Sequence, residues 1–251
     1  MIDIHSHVLA ELDDGARNFD ESVAMARMAA AAGTTDIVAS PHSNDEFRFD
    51  PLRVEAKIAE LQAAVGDSPV IHYGCDFHLN LENIQDALSS PGKYSIDHRG
   101  YLLVEFSDHL IPKTTTDIFA ALIASGMRPV ITHPERNPLL RERLGGLEEW
   151  VSQGSLVQVT AQSLLGNFGR SAKAAADTMM HRGLVHVLAS DAHDLKHRPP
   201  LLRPAYDHVT EHYGRDTADR LCVENPQSIL HGKPIQSVAR KAKGKLWCSL
   251  W

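Results

Sequence analysis

Seven short apolar runs recur along the chain, and helical patterns separate most of them. The runs are IDI (2–4), TDIVAS (35–40), VIHYGCDF (70–77), YLLVEF (101–106), PVITH (129–133), SLVQVT (155–160) and LVHVLAS (184–190). Between them, FDESVAMARMAAAAG combines an alanine-rich body with a closing Gly33, and Asp20 is placed to cap it. PLRVEAKIAELQAAVG carries Pro51 at its start and Gly66 at its end. DIFAALIASG, LLRERLGGLEEWVSQG and NFGRSAKAAADTMMHRG close on Gly126, Gly154 and Gly183. Alternating strand and helix predicts an α/β fold with a mostly parallel sheet and outer helices. Seven strands exceed what a small open sheet needs. The expectation is therefore an incomplete or distorted seven-stranded β/α barrel of the TIM-like kind.

Composition narrows the class. A chain of 251 residues is long enough for one such barrel. The net charge of −7, with no basic face before the C-terminus, argues against a nucleic-acid partner. Three widely spaced cysteines, Cys75, Cys222 and Cys248, do not make a disulfide framework and fit a reducing cytoplasm. The N-terminus lacks a basic segment followed by an apolar stretch, and no window is apolar enough to span a bilayer. Histidine is the unusual component, with 15 against 5 tyrosines. It is a common metal ligand, so the excess points mildly to metal binding.

What ends each run matters more. The first ends in His5 and His7, two apart and so on one side of a strand, with Asp13 and Asp14 just beyond. The second runs into Ser40-Pro41-His42, the third carries Asp76, and the fourth carries Glu105. The fifth ends at His133, and the seventh at Asp191 and His193. Any one of these is as readily a turn residue or helix cap. In a β/α barrel, however, the C-terminal ends of the strands build the active site, and six of the seven runs deliver a ligand type there. A mixed imidazole and carboxylate set suits zinc, manganese or iron better than calcium. The set is too large for one tetrahedral ion, so a cluster of two or three divalent metals is expected.

IDIHSHVLAELDDGA, the histidine of SPH, VEFS, ITHPER, ASDAHDLKHRPP and NPQSIL together resemble the polymerase-and-histidinol-phosphatase (PHP) family. The branch they resemble most is the bacterial capsule and exopolysaccharide tyrosine phosphatases. The likeness extends to about residue 231, so a PHP-type domain over 1–231 and a separate tail over 232–251 are expected. The resemblance implies a distorted seven-stranded barrel with a trinuclear centre. Carried over position by position, His5, His7, Asp76 and Asp191 hold the first metal. Asp76 bridges to a second, shared with Glu105 and His133. Asp14, His42 and His193 hold the third. The family usually has glutamate where GCDFH places Asp76, which is one methylene shorter. His78, two residues on, is a possible helper, although a solvent-exposed loop position is the simpler expectation.

The implied activity is hydrolysis of phosphotyrosine by a metal-bound hydroxide, with manganese, zinc, iron or cobalt as the metal. Arg136 and Arg198 lie close in sequence to His133 and His193 and suit a bidentate phosphate clamp. The competing role for Arg136 is a local ion pair with Glu135. His42 or Asp194 is placed to protonate the leaving oxygen. The implied substrate is the tyrosine-rich tail of a kinase regulating capsule or exopolysaccharide synthesis. A small-molecule phosphatase, such as one for histidinol phosphate, is the alternative. No cysteine stands in a C-x5-R pattern, which disfavours a thiol nucleophile. The C-terminal KPIQSVARKAKGKLWCSLW joins basic charge to indoles, a composition able to touch an anionic membrane surface or a membrane-bound kinase.

Overall fold

The computed structural model describes residues 1–235; of the expected tail over 232–251, the first residues lie on the body, where Lys233 O accepts from Tyr101 Oη, and the rest, 236–251, is outside the described residues. The chain starts with β1 (Ile2–Ser6), α1 (Phe19–Ala31), β2 (Asp36–Ala39), β3 (His42–Ser43) and α2 (Pro51–Val65). Next come β4 (Val70–Tyr73), β5 (Asp76–His78), α3 (Leu81–Ser89), β6 (Tyr101–Glu105), α4 (Thr115–Ala124) and β7 (Arg128–Thr132). It continues through α5 (Pro138–Arg141), α6 (Leu144–Ser152), β8 (Leu156–Thr160), α7 (Ala161–Leu164), α8 (Gly169–His181) and β9 (Val187–Ala189). The last helices are α9 (Arg203–Tyr213), α10 (Arg215–Asp219) and α11 (Asn225–Leu230). None of the described helices is long and apolar enough to cross a membrane.

All strand pairings are parallel, and they form two sheets, β1-β2-β4 and β3-β5-β6-β7-β8-β9. The seven apolar runs thus become seven staves, of which the second and third are each broken in two. Pro41 has no amide hydrogen to continue the ladder after β2. At Gly74 a Cβ would stand only 2.5 Å from Val38 Cγ1, so the third stave approaches its neighbour as only glycine allows. Asp76 N then donates to Pro41 O and restarts pairing at the next level. Beyond β9, Asp191 N donates to His5 O and His7 N donates to Ala192 O, both at 2.9 Å. These bonds bring the last stave against the first. The distorted β/α architecture is as expected, although the ring is not one continuous sheet.

Apolar residues pack on both sides of the staves. Leu102, Val104, Ile131, Val157 and Leu188 face the helices in the larger cluster. Leu103, Val130, Leu156 and Val187 form a second cluster, joined by Ile229 and Leu230 of α11. Along β6 and β8 this second face continues into Glu105 and Gln158, because residues two apart share a side. The inner face is therefore apolar at the base of the staves and polar at their C-terminal ends.

Several local expectations are corrected. Asn18, not Asp20, caps α1, with its Oδ1 accepting from Glu21 N; Glu21 in turn accepts from Arg17 N. Asn18 thus bonds the amide three residues on, and Glu21 reaches back past the cap to Arg17, the residue before it. The run at 139–154 is two helices, interrupted after Arg141 rather than at the glycine pair. His78 lies within β5, not in a solvent loop.

Candidate metal centre

The first ligand pair is set by the turn after β1. Asp13 Oδ2 stands 2.7 Å from His7 Nδ1 and accepts from His42 N, while its Oδ1 accepts from Gly15 N. Gly15 is required there, since a Cβ would meet His7 O at 2.1 Å. His7 consequently turns Nε2 inward, where it lies 3.2 Å from His5 Nε2. His5 is fixed from its other nitrogen, with Nδ1 3.0 Å from Gln158 Oε1. His133 and Asp191 end their staves at φ of 33° and 52°. Such left-handed positions cost a non-glycine residue about 1–3 kcal/mol and cluster at functional sites.

All nine expected ligands meet in one cluster. His5 Nε2 lies 3.4 Å from Asp76 Oδ2 and 3.6 Å from Asp191 Oδ1. His42 Nδ1 is 3.1 Å from Asp76 Oδ2 and 3.5 Å from Glu105 Oε2. Asp14 Oδ1 stands 3.4 Å from both His42 Nε2 and His193 Nε2. His133 Nε2 is 3.6 Å from Glu105 Oε1. Four sets have donor atoms within 4.8 Å of one another: His7, Asp14, His42 and His193; His5, His7 and Asp76; His5, His133 and Asp191; and His42, Asp76 and Glu105. The grouping differs in detail from the expected partition. His133 clusters with His5 and Asp191, whereas Glu105 and Asp76 cluster with His42.

The donor chemistry fits divalent ions of the zinc and manganese kind. Asp76 is fully buried, and neither of its oxygens accepts a hydrogen bond; His42 Nδ1 is likewise buried without one. A buried carboxylate must be paired or coordinate a cation, and the donors around Asp76 are ones that a metal ion also uses. Burial opposes ionisation of Asp76 and Asp191, yet His5 and the neighbouring charged groups hold both well below the carboxylate range. Burial alone would lower His5, but Asp76 and Asp191 raise it to about 9. His42 is raised to about 11 by Asp14, Asp76 and Glu105 against the same burial penalty. His193 falls to about 4 through burial and the adjacent His7.

Arg136 and Arg198 converge on a single oxygen, Asp191 Oδ2; Arg198 Nη2 approaches it to 2.6 Å. Glu135 is not the partner of Arg136: it is buried and accepts instead from Thr160 N and Ser163 Oγ. A cleft of about 630 Å³ opens over the cluster, lined by His42, Phe47, His78, Glu105, His133 and Arg136 among others. A larger hollow of about 800 Å³ adjoins it along Asn44, Glu46 and Phe47 but contains none of the nine ligands. His78 Nδ1 stands 3.8 Å from Glu105 Oε2, and no metal-competent set includes it. Cys75 and Cys222 are buried; burial pushes Cys222 up to about 12 and Cys75 well above the usual thiol range. Neither is a competent thiolate.

Residues 1–231 match the family model for capsular polysaccharide synthesis, CpsB/CapC. The chain belongs to this family. The tyrosine-protein phosphatase YwqE of Bacillus subtilis is 33% identical over 239 residues, 94% of this chain and 93% of the relative. In solved structures, this CpsB/CapC chain is similar to one from a study of YwqE from Bacillus subtilis and CpsB from Streptococcus pneumoniae, described there as unique metal-dependent tyrosine phosphatases. That match has a TM-score of 0.87 at 32% identity and covers 96% of this chain and 100% of the other. A phosphotriesterase homology protein from Escherichia coli shares the fold, with a TM-score of 0.56 at 12% identity over 91% of this chain and 98% of the other.

Sequence reasoning overlooked two supporting side chains, Gln158 and Phe168, and grouped a third, Asp13, with the ligand candidates, although no metal-competent set among the described residues includes it. Gln158 was signalled by its position as a lone amide in the apolar run SLVQVT. Asp13 was visible beside Asp14, but only the turn shows that it holds His7 from behind. Phe168, whose ring lies beneath both arginines, had no sequence signal of its own.

Proposed function

We propose that this chain is a metal-dependent protein-tyrosine phosphatase acting on a phosphotyrosine-bearing polypeptide of a capsule or exopolysaccharide system. The carrying observation is the convergence of nine nitrogen and carboxylate donors beside two arginines at the mouth of one cleft. Membership of the CpsB/CapC family supports the same reading. His5, His7, Asp14, His42, Asp76, Glu105, His133, Asp191 and His193 are the proposed ligands of two or three divalent ions drawn from manganese, zinc, iron and cobalt. When bound, such ions act as Lewis acids and lower the pKa of coordinated water to about 7.

The remaining chemistry belongs to the chain's own residues. Arg136 and Arg198 present planar forks suited to two phosphoryl oxygens. Their convergence on one carboxylate oxygen supports a common anion position. Both would neutralise charge that builds on the phosphoryl group during in-line displacement. Of the two candidates for the leaving proton, His42 lines the cleft and Asp194 does not. A phenolic leaving oxygen, with an ordinary pKa of about 10, needs less help than an alkoxide. The proposed natural substrate is the tyrosine-rich tail of a bacterial tyrosine kinase.

Metal analysis of the purified protein, joined to turnover of phosphotyrosine peptide, p-nitrophenyl phosphate and histidinol phosphate, tests this. Metal-dependent turnover favouring the phosphotyrosine peptide is expected. Preference for histidinol phosphate would move the chain to small-molecule hydrolysis, and no turnover with any metal would overturn the reading.

A further inference from the structure

The sixth stave, β8, sends no ligand to the cluster, but the segment that follows it reaches the same rim. The sequence there is GNFG, residues 166–169. Gly166 and Gly169 both adopt φ of 86°, a backbone conformation that side chains disfavour. Between them Phe168 occupies the N-cap of α8 and makes no capping bond. Ser, Thr, Asp or Asn at that position would usually stabilise the helix by about 1 kcal/mol relative to an apolar residue. A phenylalanine held between two turned glycines therefore forgoes local stability.

Its ring supplies a reason. Arg136 Cζ lies 4.3 Å from the Phe168 ring centroid, and Arg198 Cζ lies 5.9 Å from it. The arginines come from different loops, one after β7 and one after β9, yet they share one aromatic neighbour and one carboxylate oxygen. Guanidinium groups within about 6 Å of a ring centroid are attracted by its quadrupole. The carboxylate contact alone would leave each long side chain free to swing about a single point. The ring adds a second constraint to both.

We propose that Phe168 is a positioning residue that holds Arg136 and Arg198 as one preorganised phosphate clamp. This rests on the phosphatase reading, because it assigns the two arginines to phosphate. Preorganisation reduces the side-chain entropy lost when an anion binds. It also predicts a dependence on the aromatic face and not merely on apolar bulk.

The test compares Phe168→Leu and Phe168→Tyr with the parent, all metal-loaded and matched for metal content. Inorganic phosphate binding is measured by calorimetry, alongside turnover of p-nitrophenyl phosphate. Phe168→Leu is expected to weaken phosphate binding and lower kcat/KM, each on the order of tenfold, while Phe168→Tyr stays near the parent. In an Arg136→Ala background the cost of Phe168→Leu should shrink, since coupled residues are not additive. Phosphate affinity of Phe168→Leu equal to the parent, an equal loss in Phe168→Tyr, or an undiminished cost in the Arg136→Ala background would each overturn the proposal. A parent that binds phosphate but turns over no aryl phosphate would instead count against the phosphatase reading. The calorimetric comparison would still decide the role of Phe168.

Discussion

Asp13 Oδ2 lies 2.7 Å from His7 Nδ1, and that contact determines which nitrogen of His7 faces the cluster. The carboxylate also accepts from the backbone of His42 and Gly15, so one side chain ties the turn after β1 to β3. An outer carboxylate of this kind orients a ligating imidazole and raises its basicity. Asp13→Ala is expected to lower metal affinity on the order of 10–100-fold without unfolding the protein. Metal titration of the stripped variant beside the parent gives the answer. Unchanged affinity would reduce Asp13 to a turn residue.

A second carboxylate–imidazole constellation lies away from the cleft and concerns stability. His72, on β4, stands 3.1 Å from Asp36 Oδ1 and 2.8 Å from Asp97 Oδ2. Burial alone would lower its pKa, but the two carboxylates outweigh that and raise it from 6.5 to about 9. A folded-state pKa above the unfolded value means that the charged form stabilises the fold. The contribution is complete below about pH 6.5 and is lost as pH rises through about 9. Thermal unfolding of the parent should therefore weaken relative to His72→Gln across this window. Parallel Tm profiles for the two proteins between pH 6 and pH 10 would refute the linkage.

Arg136→Ala is expected to leave the metals in place, because Arg198 still reaches Asp191 Oδ2. Turnover should fall by a factor on the order of 10²–10³, the usual loss when one charge-stabilising donor is removed. Metal content and kcat of the variant are the measurements. A near-native rate would make Arg136 a structural partner of Asp191.

The staves and the residues at their ends were legible in sequence because both rest on local patterns. Apolar runs mark the strands, and the chemistry after each run marks the rim. Pro51 and Gly66 bounded α2 correctly for the same reason, with Asp50 as its cap. The breaks at Pro41 and Gly74 were harder to see, because contact between neighbouring staves decides them. Gly74 is needed for its closeness to Val38, a residue far from it in sequence. The closeness of His42 to Asp76 and Glu105, at 3.1 Å and 3.5 Å, likewise joins residues far apart in sequence. Phe168 was hidden for a related reason: its meaning depends on two arginines 32 positions before and 30 after it.

Thiol chemistry is expected to be dispensable. Cys75→Ser and Cys222→Ser should retain catalysis apart from packing losses, since both sulfurs are buried and their thiolates are disfavoured. Exhaustive chelation should abolish turnover, and added manganese, zinc or cobalt should restore it. Activity persisting in metal-free protein, or turnover lost in a metal-replete cysteine variant, would reopen a thiol mechanism.

The third stave bears the sharpest test of the ligand assignment. Aspartate is one methylene shorter than glutamate, so its carboxylate reaches about 1.5 Å less far from the backbone. Metal–oxygen distances tolerate only about 0.2 Å. Even so, Asp76 Oδ2 lies within 3.4 Å of His5 Nε2 and 3.1 Å of His42 Nδ1. The stave restarts at Asp76 itself, directly after the break at Gly74-Cys75, and pairs there with His42. Asp76 is also the only carboxylate that belongs to two of the four metal-competent sets among the described residues, whereas His78 belongs to none. Asp76→Asn is accordingly expected to lose one or more metals and nearly all activity. His78→Ala should have a much smaller effect, because His78 approaches only Glu105, at 3.8 Å. Metal content and turnover of both variants are compared with the parent. If Asp76→Asn retained full occupancy and rate while His78→Ala lost both, the bridge assignment to Asp76 would be wrong and the third stave would need a different register.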